Sequence, residues 1–256
     1  MVADLPGGSI PYTLRYSARA RGLRVTIHPD RGVVVTVPAT RDGRLHGERH
    51  ATAFVAERQQ WIRRHVARQA AEAARIAAHG GARDGGEILY HGRWFRISVV
   101  PAVSGLRRSH VVVFPEEGVL VVHRVAADRR TEAAILEAWL RDEARVAIDA
   151  AIDRHAGPLG VSPTTVTLRD PRSRWGSAAR TGRLSFSWRL VMAPPEALET
   201  VVVHELAHLR VFGHGAPFWA LVATRQPEHR AWRRWLHDHA IVLHGALEPR
   251  TAVEPR

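Results

Sequence analysis

The sequence contains no cysteine, and equally no lysine and no asparagine, so all 37 of its basic residues are arginine. Without thiols there is neither a disulfide framework nor a thiolate metal site, and any bound metal has to be held by histidine, aspartate or glutamate. No apolar stretch approaches the roughly 18 residues needed to span a bilayer. The opening segment MVADLPGGSIPYTLRYSARA also lacks the apolar core of an export signal. The expectation is a cytoplasmic chain with no membrane partner. Hydrophobic residues at 45% and charged residues at 24% exclude a disordered or fibrous chain, and 256 residues are enough for one large domain or two small ones.

The net charge of +12 points towards an anionic partner such as nucleic acid. That signal needs discounting, because a chain with arginine but no lysine or asparagine carries the imprint of G+C-rich codons. The arginines are also spread along the chain without a block of five or six, so they form no dedicated binding arm. The charge admits a nucleic-acid partner without favouring it.

Residues 12–37 alternate apolar and polar positions at Leu23, Val25 and Ile27 and again at Val33, Val35 and Val37. With His28-Pro29-Asp30-Arg31-Gly32 between them, they read as a strand hairpin. Ala51 to Ala78 changes to helical periodicity, with Trp61 and Ile62 in register and Gly80-Gly81 as the stop. Strands return at Glu87–Val100, with a turn at His91-Gly92, and at Val111–Val122 around Pro115-Glu116-Glu117-Gly118. Thr131 caps a long amphipathic helix expected to end before Gly157-Pro158. Thr164–Leu168 and Arg183–Leu190 read as strands, joined by the loop Asp170-Pro171-Arg172-Ser173-Arg174-Trp175-Gly176-Ser177. Pro194-Pro195-Glu196 opens another helix. Pro217 starts a short one, and Trp232, Trp235 and Leu236 fit a third. No internal repeat is evident. The expected organisation is α+β: a β-rich part with one helix over 10–130, a catalytic part over 131–240 and a frayed tail over 241–256.

Within the helix opened by Pro194-Pro195 lies Val203-His204-Glu205-Leu206-Ala207-His208-Leu209. His204 and His208, four apart, project from one helix face and can present imidazole nitrogens to a single ion, with Glu205 beside it. His214 follows six residues later, and a left-handed helix end at Gly213 would swing it back as a third ligand. Three neutral protein ligands leave a fourth position for water, the open arrangement of catalytic rather than structural zinc. Such a metal lowers the pKa of its water and polarises a carbonyl, with Glu205 taking the proton. The histidines His155, His229, His237, His239 and His244 have no such geometry and are expected at the surface.

These residues resemble the YgjP-like metallopeptidases, which are similar to the SprT-like proteases in their metal motif. The likeness is carried by Ser173-Arg174-Trp175-Gly176-Ser177, by the strand RLSFSWRL, by VVVHELAHL at Val201–Leu209 and by HGAPFW at His214–Trp219. It extends weakly over most of the chain. The resemblance implies a zincin-like fold, Zn2+ on His204, His208 and His214, Glu205 as general base, and a protein or peptide substrate. Two departures stand out. Ala178 occupies the place where relatives commonly have cysteine, and Val211 stands where the extended zinc-protease motif has glycine. Arg174 and Trp175 are candidate cleft residues, Arg174 for a developing oxyanion. Leu184–Trp188 is the candidate edge strand for an extended peptide. Phe218 and Trp219 are expected to pack under the metal site. Two rivals stay open: a nucleic-acid-associated SprT-like protease, and a non-catalytic protein whose triad stores or senses metal.

Overall fold

In the computed structural model, residues 1–28 and 31–247 are described; Pro29, Asp30 and the last nine residues lie outside them. The chain is a mixed α+β fold with three sheets and six α-helices among the described residues. It divides into two compact units, Met1–Ala74 and Arg75–Arg256. The break falls well before residue 130, because the buried side chains of the second β-region share one core with the helices that follow it.

In the first unit β1 (Val2–Ala3), β2 (Ile10–Ser17), β3 (Arg24–His28) and β4 (Gly32–Pro38) form a sheet ordered β1-β2-β4-β3. Val33, Val35 and Val37 of β4 point to one face and are buried, as alternation requires. The expected β3–β4 hairpin is present with His28 opposite Gly32, while β2 runs parallel to β4. Helix α1 (Arg41–Glu57) starts ten residues earlier than its apolar periodicity announces, because Thr40 caps it by accepting from the Gly43 N–H at 3.1 Å. Helix α2 (Gln59–Ala78) follows directly and ends at the left-handed Gly80 and Gly81.

The second unit begins with β5 (Glu87–Tyr90), β6 (Arg93–Pro101), β7 (His110–Phe114) and β8 (Val119–Arg124), ordered β5-β6-β8-β7. Again the second and fourth strands are parallel and the remaining pairs antiparallel. The buried register positions correspond. Ala3 faces Ile10 as Ile88 faces Phe95, and Tyr12 faces Val33 as Ile97 faces Leu120. The chain therefore repeats one four-stranded pattern, each copy followed by a threonine-capped helix. The repeat escapes sequence inspection because it is conserved as burial and register, and the second hairpin turn is one residue longer.

Helix α3 (Glu132–Leu159) is capped by Thr131, whose hydroxyl accepts from the Ala134 N–H at 3.2 Å. It runs through Gly157 and Pro158 and stops at Gly160, in the left-handed region at φ 66°. Next come β9 (Thr165–Arg169), β10 (Gly176–Ala178) and β11 (Arg183–Ser187), then a 3-10 turn over Trp188–Met192. The sheet order β10-β11-β9 makes β11 the central strand and β10 an edge, correcting the expectation that Leu184–Trp188 forms the edge. Helix α4 (Pro195–His208) is largely buried, with Ala197, Leu198, Val201, Val202, Val203, Leu206 and Ala207 in the core. The His91 and Gly92 N–H groups donate to the Val191 and Met192 carbonyls at 3.0 Å, fixing the approach to α4. Helices α5 (Ala216–Arg225) and α6 (His229–Gly245) complete the unit. The expected frayed tail from Ile241 is instead helical to Gly245, with Val242 and Leu243 buried; 248–256 lie outside the described residues. No described helix is long and apolar enough to cross a membrane.

Candidate metal centre and active site

In the C-terminal half of α4, His204, Glu205 and His208 are the polar positions among Val201, Val202, Val203, Leu206 and Ala207. Helix α4 ends at His208, earlier than Gly213, and the left-handed Gly213 at φ 96° lies in the turn that returns His214 to the helix. The outcome matches the expected reversal. The three Nε2 atoms form a near-equilateral triangle, with His204–His208 at 3.2 Å, His208–His214 at 3.1 Å and His204–His214 at 3.2 Å. Three nitrogens of a tetrahedral set at about 2.0–2.1 Å from one centre stand about 3.3 Å apart, so the triangle has the size a zinc-like cation requires. His208 is oriented from behind, its Nδ1 lying 3.3 Å from the Val211 carbonyl.

The electrostatics agree with the geometry. Burial, then the neighbouring His208 and His214, lower the His204 pKa from 6.5 to about 3, and burial also lowers that of His208. Both are therefore neutral imidazoles at pH 7, ready to donate lone pairs. Phe218 is fully buried beneath them, stacked on His208 at 4.3 Å and edge-on to His204 at 4.9 Å. Trp219 lies against His214 at 5.7 Å between ring centroids.

Glu205 is 6% exposed, and burial raises its carboxyl pKa to about 7 against the opposing charge of Arg174. It faces a cleft of about 660 Å³, a size suited to a short stretch of substrate. Arg174 and Trp175 line the cleft from the loop before β10 and Gly176 from the start of that strand, and Arg233, His237 and His244 line it from α6. Trp175 stacks on His244 at 4.9 Å, so loop and helix meet at one end of the cleft.

A family description, YgjP-like, metallopeptidase domain, matches residues 21–239. The chain belongs to the YgjP-like metallopeptidase family. Membership implies a metal cofactor, and His204, His208 and His214 are a group among the described residues that could hold one. A crystal structure of the metallopeptidase zymogen of Pyrococcus abyssi abylysin aligns with 37% of this chain and 92% of that one, at 20% identity and a TM-score of 0.31. No curated protein matches the chain.

In this YgjP-like chain His155 and His229 correct the expectation of surface positions, His239 and His244 are half-buried, and His237 is exposed as expected. His155 is 3% exposed and its Nε2 lies 3.1 Å from Glu199, while His229 is 5% exposed and stacked on Trp219. His239 packs on Trp235. His237 and His244 are cleft residues, as is Arg233. The signal for them is present in the sequence: His237 and His244 are seven apart on one helix, hence on one face, and Arg233 precedes His237 by one turn. The half-buried Ala178 is in β10, which pairs with β11.

Proposed function

We propose that the chain is a zinc-dependent peptidase with a zincin-like catalytic unit, in which His204, His208 and His214 hold the metal and Glu205 is the general base. The observation that carries this reading is the triangle of Nε2 atoms about 3.2 Å on a side, with a buried carboxylate at the next helix position. Three imidazoles and no thiolate suit zinc in an open, catalytic set. When bound, zinc supplies Lewis-acid polarisation of the scissile carbonyl and acidifies water.

The protein's own residues supply the rest. Glu205 accepts a proton from the attacking water at a carboxylate oxygen and returns it to the departing amine. Arg174, within electrostatic reach of Glu205, stabilises negative charge developing on the carbonyl oxygen. The edge strand β10, directly against Glu205, offers backbone groups to which an extended peptide adds as a further strand.

Glu205→Gln tests the reading. It should retain about one zinc per chain and lose hydrolysis, whereas His214→Ala should lose the zinc. A Glu205→Gln protein that cleaves peptides like the wild type rejects the mechanism. Zinc uptake with no Glu205-dependent turnover in any peptide mixture rejects the peptidase reading in favour of metal storage.

A further inference from the structure

Resting on the peptidase reading, we infer that the cleft selects peptides carrying a carboxylate beside the bond to be cut, and that Arg233 on α6 recognises it. Three arginines, Arg172, Arg174 and Arg233, line the cleft, and Glu205 is the sole acidic residue among its lining residues. Because Glu205 is buried and committed to the chemistry, a carboxylate that complements Arg233 has to arrive with the substrate.

Arg233 is held in a way that suits this task. Its guanidinium carbon lies 4.4 Å from the centre of the Trp219 ring. Trp219 is in turn packed against His204 at 5.6 Å, His214 at 5.7 Å and His229 at 5.3 Å. This stack fixes a planar cation beside the histidine triad and reduces the side-chain entropy lost on binding. Arg233 is exposed, and a planar guanidinium with one face on a ring keeps its edge N–H groups for a two-point bond to a carboxylate. The Arg233 charge helps hold His204 neutral, so the guanidinium is within electrostatic reach of the triad. A basic substrate residue at the same place meets like charge from both walls of the cleft.

The experiment uses the full chain carrying Glu205→Gln and loaded with zinc, so that peptides survive, and reads binding by fluorescence anisotropy. Four labelled peptides of one length are compared: an Asp-containing peptide and its Asn counterpart, each with a free or an amidated C-terminus. Carboxylate-bearing peptides should bind about fivefold tighter than the neutral amidated one. Arg233→Ala should erase that difference and Arg233→Lys restore part of it. The pair Arg107→Gln and Arg108→Gln, which removes two exposed charges between β6 and β7, should leave it intact. Loss of tight binding on amidation assigns the C-terminal carboxylate, and loss on replacing Asp by Asn assigns a side chain. Equal binding of all four peptides, binding of none, or equal weakening by the cleft and the distant substitutions overturns the inference. So does a short single-stranded oligonucleotide bound more tightly than any peptide with the same dependence on Arg233. Because binding is the readout, an enzyme without turnover sinks the peptidase reading and leaves carboxylate recognition to be judged separately.

Discussion

Gly176 lies with its backbone against the Glu205 side chain, so close that a Cβ at position 176 would stand 2.7 Å from both Cγ and Oε1 of the glutamate. The loop that carries Arg174 and Trp175 thus sets the position of the proposed base by direct contact. Gly176→Ala should push the carboxylate aside without touching the three histidines. Zinc content should stay near one per chain while kcat/KM falls about a hundredfold, the scale expected for roughly an ångström of misplacement. Unchanged turnover in a zinc-replete variant would show that Glu205 tolerates displacement, and the contact would lose its functional meaning.

Glu205 also leaves a signature in stability. Its carboxyl titrates at about 7 in the metal-free folded protein because it is buried, against 4.5 as the ordinary value. The folded state therefore holds its proton more tightly. The resulting stability is fully present below pH 4.5 and is lost as pH rises through 7, a loss of at most about 3 kcal/mol. Glu205→Gln carries no such loss. In chelator, the urea midpoint of the variant should match the wild type at about pH 4.5 and exceed it increasingly up to about pH 8. A difference that does not change with pH would remove burial of the charge as its cause.

The chemistry of this site is legible in the sequence where it depends on local geometry. His204 and His208 share a face because a helix repeats every 3.6 residues, and Gly213 reads as a reversal because glycine accepts positive φ readily. Thr131 announces its helix for similarly local reasons. What escapes depends on partners distant in the chain. The alternation along Arg183–Leu190 identifies a strand but not that β9 and β10 flank it on both sides. His155 looks like any polar helix residue until Glu199, 44 positions away, is brought to it. Gly176 has no positive φ to betray it, and the nearest atoms that a side chain there would meet belong to Glu205.

The turn between β5 and β6 holds the start of the histidine helix by a second close approach. Gly92 is in the left-handed region at φ 77°, and a Cβ there would lie 2.6 Å from Cγ of Pro194, the residue that precedes α4. Gly92→Ala combines an unfavourable backbone conformation with a clash against a rigid ring. It should destabilise the protein by about 2–4 kcal/mol and weaken zinc retention, since α4 carries two of the ligands. Thermal unfolding with and without zinc checks this. A variant as stable as the wild type would mean that the turn can separate from Pro194 at no cost.

Arg189 ties the cleft loop to the last helix. It is 6% exposed, it donates from Nε and Nη2 to the two carboxylate oxygens of Asp170 at 2.7 and 3.0 Å, and from Nη1 to the Leu243 carbonyl at 2.9 Å. Asp170→Asn leaves the buried guanidinium without its counter-charge. A fully buried pair broken this way loses about 3–5 kcal/mol, but the Asp170 side chain is 34% exposed, so about 2 kcal/mol is expected here. Burial alone would raise the Asp170 carboxyl, yet the Arg189 hydrogen bonds outweigh it and hold the pKa below its ordinary 3.8. The pair's contribution is therefore fully present above pH 3.8 and disappears as the pH falls through the depressed folded value. The stability gap between wild type and Asp170→Asn should be constant near neutrality and close in acid, measured by urea unfolding at each pH. A gap unchanged in strong acid would assign the loss to packing of the substituted side chain, since a protonated Asp170 no longer pairs with Arg189 as an ion.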